Sequence, residues 1–323
     1  MASTPCSTTW RASRRALLGA ALAMPAPAQE ARAMRWVVPW PPGGSTDVIA
    51  RLIAAQVGPL LGQAVLIENR SGAGGVLGSD AVAKAAPDGL TVLVSDGALA
   101  TAPSLNRSLP FDPAVDLRAV SLAVTLPHVV AVNPAFPAAT LGGFIVEAKR
   151  RNLDFGSGGI GSPLHLAGEL LRLAAGISWT HIPYRGAAPA VTALLANEVQ
   201  VVVPSLPAVL AHIREGRLRG LAITSANRAP LLPNVPTAAE AGLPEAQMTG
   251  WVGLHMPAHS AEAAVSRLAA AVREALSAPS LRDRLAEQGA QVAARGPDDY
   301  AGFIAAETAR WSAVIRAAGI QPE

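Results

Sequence analysis

The sequence predicts an α/β fold in two domains. Its 323 residues suffice for two, because one domain usually takes about 100–200 residues. Half of the residues are hydrophobic and only 15% are charged, so the chain can bury a sizeable core and is neither disordered nor collagen-like. Short apolar strands alternate with helices along the chain, which is typical of parallel sheets with right-handed crossovers and helices on both faces.

The first part of this alternation lies between residues 36 and 94. A strand at 36–38 is followed by a helix that begins near Ser45, Thr46 and Asp47, which are good N-capping residue types. Apolar residues then recur at helical spacing along one face up to residue 61. The further predicted elements are a strand at 64–68, a helix at 75–85 and a strand at 90–94.

The alternation resumes after about residue 133. Here the pattern predicts strands at 154–155, 179–183, 199–203 and 219–224, and helices at 162–175, 188–196, 206–213, 261–278 and 297–317. The last two helices are amphipathic, and the apolar face of the final one is assigned to the core.

The N-terminus has the pattern of an export signal. Arg11, Arg14 and Arg15 form a basic region, residues 16–24 are apolar, and residues 26–28 form a small-x-small cleavage site. We therefore expect a signal peptide at 1–28, with an alternative cleavage after residue 33. The apolar run of about nine residues is too short to span a bilayer, which takes about 20. The arginine pair fits either the twin-arginine or the general secretory route, and an ordinary cytosolic helix is the less favoured alternative.

Cysteine content and net charge exclude several classes of function. The single cysteine, Cys6, lies inside the predicted signal, so the mature chain would contain no disulfide, thiol nucleophile or cysteine-ligated metal. The formal charge of +3 comes from the three arginines of residues 1–28, so the mature chain has no net charge. Such a chain, with aromatics at 4%, is not expected to bind nucleic acid or an anionic membrane surface.

Catalytic and cofactor motifs are weak. Residues 156–161 satisfy G-x-G-x-x-G, but residues 176–186 contain no acid to hold a ribose, as a dinucleotide site requires. His255 and His259 have i, i+4 spacing, yet Met256-Pro257 lies between them and prevents one regular helix from presenting both to a metal. No G-x-S-x-G nucleophile motif occurs. We therefore predict no catalytic residues, no metal and no cofactor.

Two glycine-rich loops remain as candidate anion sites. The loops at 40–46 and 157–162 each follow a strand and lead into a helix with Ser or Thr at its start. Open α/β sheets bind ligands at this edge, and helix N-termini offer free N–H groups and a positive dipole end. Two such loops facing each other across a cleft would suit a ligand with carboxylates at both ends. The alternative is that glycine and proline here only turn the chain.

Several longer motifs resemble one family. In order along residues 34–323, they are WVVPWPPGGSTD (36–47), ENRSGAGG (68–75), AKAAPDG (83–89), GSPLHLAGE (161–169), HIPYRG (181–186), LAITS (221–225), VPTAAEAGLP (235–244) and AGI (318–320). They resemble the Bug-type solute-binding proteins, the periplasmic receptors of tripartite tricarboxylate transporters.

The resemblance implies a Venus-flytrap binding protein of type II, with two domains that are each a mostly parallel sheet flanked by helices. Domain 1 would comprise 34–133 plus 249–323, and domain 2 would comprise 134–248. The protein would be a periplasmic monomer that captures a small carboxylate and delivers it to membrane permease subunits. A sensory module that presents the solute to a membrane histidine kinase is the alternative, and an enzyme is the third reading.

The family holds its ligand in the interdomain cleft, largely through backbone groups, hydroxyls and bridging waters. Carried over by position, the expected ligand-binding residues are Trp40, Pro41, Pro42, Gly43, Gly44, Ser45, Thr46, Ser95, Asp96, Thr101, Ser157, Gly158, Gly159, Gly161, Ser162, His165, Pro204 and Ser205. Arg185 could be a cleft cation or a surface ion-pair partner, and Trp251 could be hinge packing or cleft wall.

This chain departs from the family at two positions. Pro204 stands where family members usually have an acid that can pair with an amino group of the ligand, and Ala102 stands where they often have Asn. An ammonium enclosed without an acidic partner is costly. The sequence therefore predicts a carboxylate ligand without an amino group, a small di- or tricarboxylate or an aromatic acid.

Overall fold

The computed structural model describes residues 1–2, 4 and 32–322, and the fold is built from the continuous segment that begins at Arg32. The predicted signal peptide and its cleavage sites therefore lie almost entirely outside the described residues. Within those residues, none of the helices combines the length and hydropathy needed to span a membrane.

The strands and helices of this segment alternate along much of the chain, as predicted. The strands are β1 (Met34–Val38), β2 (Val65–Asn69), β3 (Thr91–Asp96), β4 (Leu117–Pro127), β5 (Val129–Val132), β6 (Leu153–Ser157), β7 (Trp179–Pro183), β8 (Val201–Val202), β9 (Arg219–Ile223), β10 (Thr249–Pro257) and β11 (Gln291–Arg295). The helices are α1 (Ser45–Leu61), α2 (Val76–Ala83), α3 (Gly97–Leu105), α4 (Leu141–Arg150), α5 (Pro163–Ala175), α6 (Ala187–Leu195), α7 (Leu210–Arg214), α8 (Glu262–Ser277), α9 (Pro279–Glu287) and α10 (Pro297–Ala317).

The first sheet has six strands in the order β11-β4-β10-β3-β1-β2. Strand β1 pairs in parallel with β2 and β3, which is the predicted βαβαβ unit. Strand β10 pairs antiparallel with both β3 and β4, and β11 pairs antiparallel with β4. Helix α8 packs on α1 and β4, and α10 packs on α3 and β4, so the C-terminal part of the chain completes this sheet.

The second sheet has five strands in the order β7-β6-β8-β5-β9. Strand β6 pairs in parallel with β7 and β8, whereas β5 pairs antiparallel with β8 and β9. Both sheets are therefore mixed, which corrects the expected strand directions. The reason is topological: β4 with β5, and β9 with β10, carry the chain between the sheets directly, without the crossover helix that a parallel connection needs.

The two crossings between the sheets lie side by side. His128 is the single residue between β4 and β5, and its carbonyl accepts from the Thr224 N–H at 2.9 Å. The Thr224 hydroxyl in turn donates to the Met248 carbonyl at 2.7 Å, just before β10. These bonds join the outgoing and returning segments into one junction.

The core lies on both faces of each sheet. On one face of the first sheet, Trp36, Ile49 and Ile53 are 0–1% exposed and pack with the apolar face of α8. On the other face, Tyr300 and Trp311 of α10 are equally buried and belong to a separate cluster. The predicted assignment of the last helix to the core is therefore confirmed.

Candidate functional site

A cavity lies between the loops of the two sheets, at the edge where β1, β3, β6 and β7 end. Its volume is about 70 Å³. Its lining residues are Trp40, Pro41, Pro42, Gly44, Ser45, Thr46, Asp96, Leu126, His128, Gly158, Ser162, Pro163, Leu164, Arg185, Gly186, Ala187, Ala188, Pro189, Ser205, Gly250 and Trp251.

The cavity brings together ten of the eighteen residues predicted for the site. Those ten are Trp40, Pro41, Pro42, Gly44, Ser45, Thr46, Asp96, Gly158, Ser162 and Ser205. The loops at 40–46 and 157–162 therefore do face each other across one cavity, and Ser45 Oγ lies 2.6 Å from Ser205 Oγ across the gap between the sheets.

Eight predicted residues do not line the cavity: Gly43, Ser95, Thr101, Ser157, Gly159, Gly161, His165 and Pro204. Gly43, with φ at +83°, donates its N–H to Asp47 Oδ2 at 2.9 Å, so this donor is already used inside the loop. Ser95 Oγ lies within 3.0 Å of the Gly253 carbonyl, His255 Nδ1 and Tyr300 Oη, in a buried network under the sheet.

Ser157 and His165 support the second loop from behind. Ser157 Oγ lies 2.6 Å from His181 Nε2 and accepts from the Gly159 N–H at 3.1 Å. His165 Nδ1 accepts from the Gly161 N–H at 3.2 Å, and its ring stacks on His181 with centroids 4.3 Å apart. These side chains set the shape of the loop and leave Gly158 and Ser162 to face the cavity.

Sequence reasoning missed the third loop of the cavity. Residues 185–189 follow β7 and begin α6, with Gly186 at the N-cap and φ at +116°. The loop repeats the glycine-at-a-helix-start pattern of the other two, which is the signal that could have identified it. The lining residues that were not predicted are Leu126, His128, Pro163, Leu164, Gly186, Ala187, Ala188, Pro189 and Gly250, and Arg185 and Trp251 were left open.

Three helix N-termini border this space, those of α1, α5 and α6. Gly44 and Gly186 precede α1 and α6 without a side-chain cap, so the first N–H groups of both helices lack a side-chain acceptor. Ser162 caps α5 by accepting from the His165 N–H at 3.2 Å, which leaves its own hydroxyl hydrogen for another partner. Positive dipole ends and N–H donors together favour an anion.

Asp96 is the only acid among the described residues that line the cavity, and its oxygens are occupied. Its Oδ2 accepts from the Trp40 indole and from Thr46 Oγ1, the latter at 2.9 Å, and its Oδ1 accepts from the Ala98 N–H at 3.1 Å as the cap of α3. Burial raises the pKa of Asp96, against the effect of these three donors. The carboxyl group holds the cavity wall together.

Exposure divides the cavity into a mouth and an inner end. Arg185, Ala188 and Pro189 are exposed, and Arg185 is the only lysine or arginine among the described lining residues. His128 and Ser205 at the inner end are 2% and 7% exposed. Much of the remaining wall is apolar, built from prolines, leucines and the Trp40 ring. Among the described residues, no three His, Cys, Asp or Glu side chains are arranged to hold a metal.

Trp251 packs mainly away from the cavity. Its ring meets Tyr300 and Phe303 of α10 edge-on, with centroids 5.9 and 5.7 Å apart. The indole therefore joins the returning strand β10 to the last helix, which is the hinge-packing role, while the residue also forms part of the inner wall.

Comparisons with known proteins agree with this architecture. The family described as "Tripartite tricarboxylate transporter family receptor" matches residues 49–320. Protein BugT of Bordetella pertussis is 40% identical over 308 residues, which is 94% of this chain and 94% of that protein.

Solved structures of the same size match closely. The periplasmic binding protein BugD superposes with a TM-score of 0.86 at 29% identity, over 90% of this chain and 99% of that one. The structure of Rpa4515 of R. palustris with adipate has a TM-score of 0.87 at 34% identity, over 90% of this chain and 98% of that one. MatC of Rhodopseudomonas palustris with bound malate has a TM-score of 0.83 at 35% identity, over 88% of this chain and 99% of that one. The predicted two-domain periplasmic binding protein fold is confirmed. This chain belongs to the tripartite tricarboxylate transporter receptor family, which is a family of periplasmic solute-binding proteins and not a family of enzymes.

Proposed function

We propose that this protein captures a small carboxylate without an amino group in the cavity between its two sheets. The observation that carries the proposal is the balance of hydrogen-bonding groups there. Three helix N-termini, the Ser162 hydroxyl and Arg185 are donors, whereas the one lining acid, Asp96, already accepts from three donors. An acceptor-only group fits this surplus of donors, and an ammonium would find no free acid.

The ligands named for related structures are consistent with this class. Adipate is present in Rpa4515 and malate in MatC, and each is a carboxylate without an amino group. Pro204 does not line the cavity itself, but it precedes the lining residue Ser205 and places no acid beside it.

Delivery to membrane permease subunits completes the proposed role. The protein would act as an exported monomer that carries the bound acid to a permease of the tripartite tricarboxylate type, after secretion by the general or the twin-arginine route. Loss of uptake of the identified acid in a deletion strain, and its recovery with the intact gene, tests the transport role. Normal uptake together with loss of a transcriptional response to the acid would favour the sensory alternative.

A thermal-shift panel tests the ligand class. Succinate, adipate, citrate and benzoate are compared with aspartate, glutamate and the uncharged succinamide. A ligand at about 100 times its Kd stabilises the folded state by about 2.7 kcal/mol. We expect at least one of the acids without an amino group to raise the Tm clearly above every amino acid tested. Stronger stabilisation by aspartate or glutamate, or by succinamide, would contradict the proposed class.

A further inference from the structure

The inner end of the cavity contains a histidine with no partner. His128 is 2% exposed, it lines the cavity, and neither Nδ1 nor Nε2 has a hydrogen-bond partner among the described residues. Buried polar side chains are normally hydrogen-bonded, because leaving one unpaired costs free energy. An unpaired imidazole at the wall of a binding cavity therefore points to a partner that arrives with the ligand.

The chain holds this ring in place from several sides. The His128 backbone bonds to Thr224 through both its N–H and its carbonyl, and it bridges to Ser205 of the next loop. Gly250 lies behind the ring: a Cβ there would be 2.5 Å from His128 Cε1 and 3.2 Å from Nδ1. Residue 250 must therefore be glycine for the ring to keep this position, so the imidazole is positioned before any ligand binds.

The His128 ring is neutral at pH 7. Burial lowers the pKa of His128 to about 4, so at pH 7 one ring nitrogen carries a proton and the other does not. The other groups at the inner end are also donors, since either Ser45 or Ser205 keeps a free hydroxyl hydrogen after the two have bonded to each other. The charged groups that share the cavity are Asp96, which accepts from three protein donors, and Arg185, which lies at the exposed mouth.

We propose that His128 is a ligand-binding residue that donates a hydrogen bond to the second carboxylate of a dicarboxylate at the inner end of the cavity. The first carboxylate lies toward the mouth, near Arg185 and the start of α6, and the apolar wall covers the carbon chain between the two. This inference rests on the proposed function and narrows its ligand class to dicarboxylates.

Matched acid pairs test the role of His128. Isothermal titration compares adipate with hexanoate and succinate with butyrate, where each pair differs by one carboxylate. Hydrogen bonds to charged groups affect affinity by about 10- to 100-fold. We expect the wild type to bind the diacid of at least one pair about tenfold or more tightly than the matching monoacid. His128→Phe should abolish this preference by weakening the binding of the diacid alone. His128→Gln should retain part of the preference. His255→Gln is the control, because His255 is equally buried but bonds to Ser95 away from the cavity.

Proton uptake provides a readout that a purely structural role would not change. A carboxylate beside an imidazole favours the protonated, charged form of the imidazole. Binding of the diacid should therefore raise the pKa of His128 from about 4. For the same reason, the affinity for the diacid should increase as the pH falls from 7 toward 5. Calorimetric titrations at pH 5.5 in two buffers of different ionisation enthalpy measure the protons taken up on binding. The wild type should take up more protons than His128→Phe. Because both proteins bind the same acid, the difference between them excludes protonation of the acid itself.

The outcomes separate this inference from the proposed function. If diacids bind but His128→Phe weakens the affinity for both acids of a pair equally, or for neither, then His128 does not bind the second carboxylate. Equal proton uptake by the wild type and His128→Phe would overturn it as well. If no acid of either pair or of the thermal-shift panel binds the wild type, the proposed function itself falls, and this inference with it.

Discussion

At the scale of single residues, Asp96 is a buried acid that fixes part of the cavity wall through hydrogen bonds. Its carboxyl group accepts from the Trp40 indole, the Thr46 hydroxyl and the Ala98 N–H, and Trp40 and Thr46 both line the cavity. The acid thereby fixes two wall residues and the start of α3. Because all three partners are donors, only an acceptor-only group satisfies them together.

The variant Asp96→Asn tests this role. Its amide turns one acceptor into a donor that faces another donor, which should cost about 1–3 kcal/mol of unfolding free energy. The ligand identified by the panel should bind roughly tenfold more weakly, a change of about 1.4 kcal/mol. Urea unfolding and isothermal titration measure the two effects. Asp112→Asn is the matched control, since Asp112 caps an exposed turn by accepting from the Ala114 N–H; unchanged stability of Asp96→Asn would contradict this account.

The residue types of the sequence predicted which loops line the cavity, but they did not predict the individual contacts within those loops. Glycine and hydroxyl residues at helix starts predicted the loops at 40–46 and 157–162, and residues of both loops line the cavity. A local pattern is enough to predict a helix N-terminus. Sequence could not show that Asp47 takes the N–H of Gly43, or that Ser95 bonds to Tyr300, which is 205 residues away. His128 was not among the predicted residues, because its place in the cavity wall depends on three segments that meet only in the folded chain.

At the scale of elements, Ser162 combines two roles that can be separated. It caps α5 by accepting from the His165 N–H, and its hydroxyl lines the cavity. Thr140 caps α4 in the same way, by accepting from the Gly143 N–H at 3.1 Å, but it does not line the cavity. The pair therefore offers one cap with a predicted ligand contact and one without.

Replacing either cap by alanine should remove about 1 kcal/mol of unfolding free energy, the usual cost of losing a hydroxyl N-cap. Only Ser162→Ala should also weaken ligand binding, by several-fold, because only Ser162 lines the cavity. Denaturant unfolding and titration of both variants in parallel measure the difference. Equal affinities of Ser162→Ala and Thr140→Ala would remove Ser162 from the binding site.

The elements that sequence predicted are those with a strong local pattern. The βαβαβ unit and helices α5 and α10 were predicted close to their observed limits. Helix α1 has apolar residues at helical spacing, and α5 and α10 each begin at a proline. Strands β4, β10 and β11 were not predicted. Their segments are joined in the sheet by antiparallel pairing between residues more than 100 positions apart, such as Gly253 with Leu122, which no local window reveals.

At the scale of the whole molecule, loops of the first sheet contact loops of the second sheet. Ser45 Oγ lies 2.6 Å from Ser205 Oγ, and the Thr101 hydroxyl lies 3.3 Å from the Gly161 carbonyl, each joining a loop of one sheet to a loop of the other. His128, Thr224 and Met248 form the hydrogen-bonded junction between the two sheets. We propose that the two sheets are the cores of two domains, with the predicted boundaries near 133 and 248, that open and close there.

Small-angle X-ray scattering on the protein, first freed of bound small molecules by unfolding and refolding, tests the capture of a carboxylate between the sheets most directly. Scattering is recorded without ligand and with a saturating concentration of the acid that gives the largest increase in Tm. We expect a smaller radius of gyration with the acid, and no contraction with succinamide as the uncharged control. An acid that raises the Tm but leaves the scattering unchanged would contradict closure of the two sheets on the ligand.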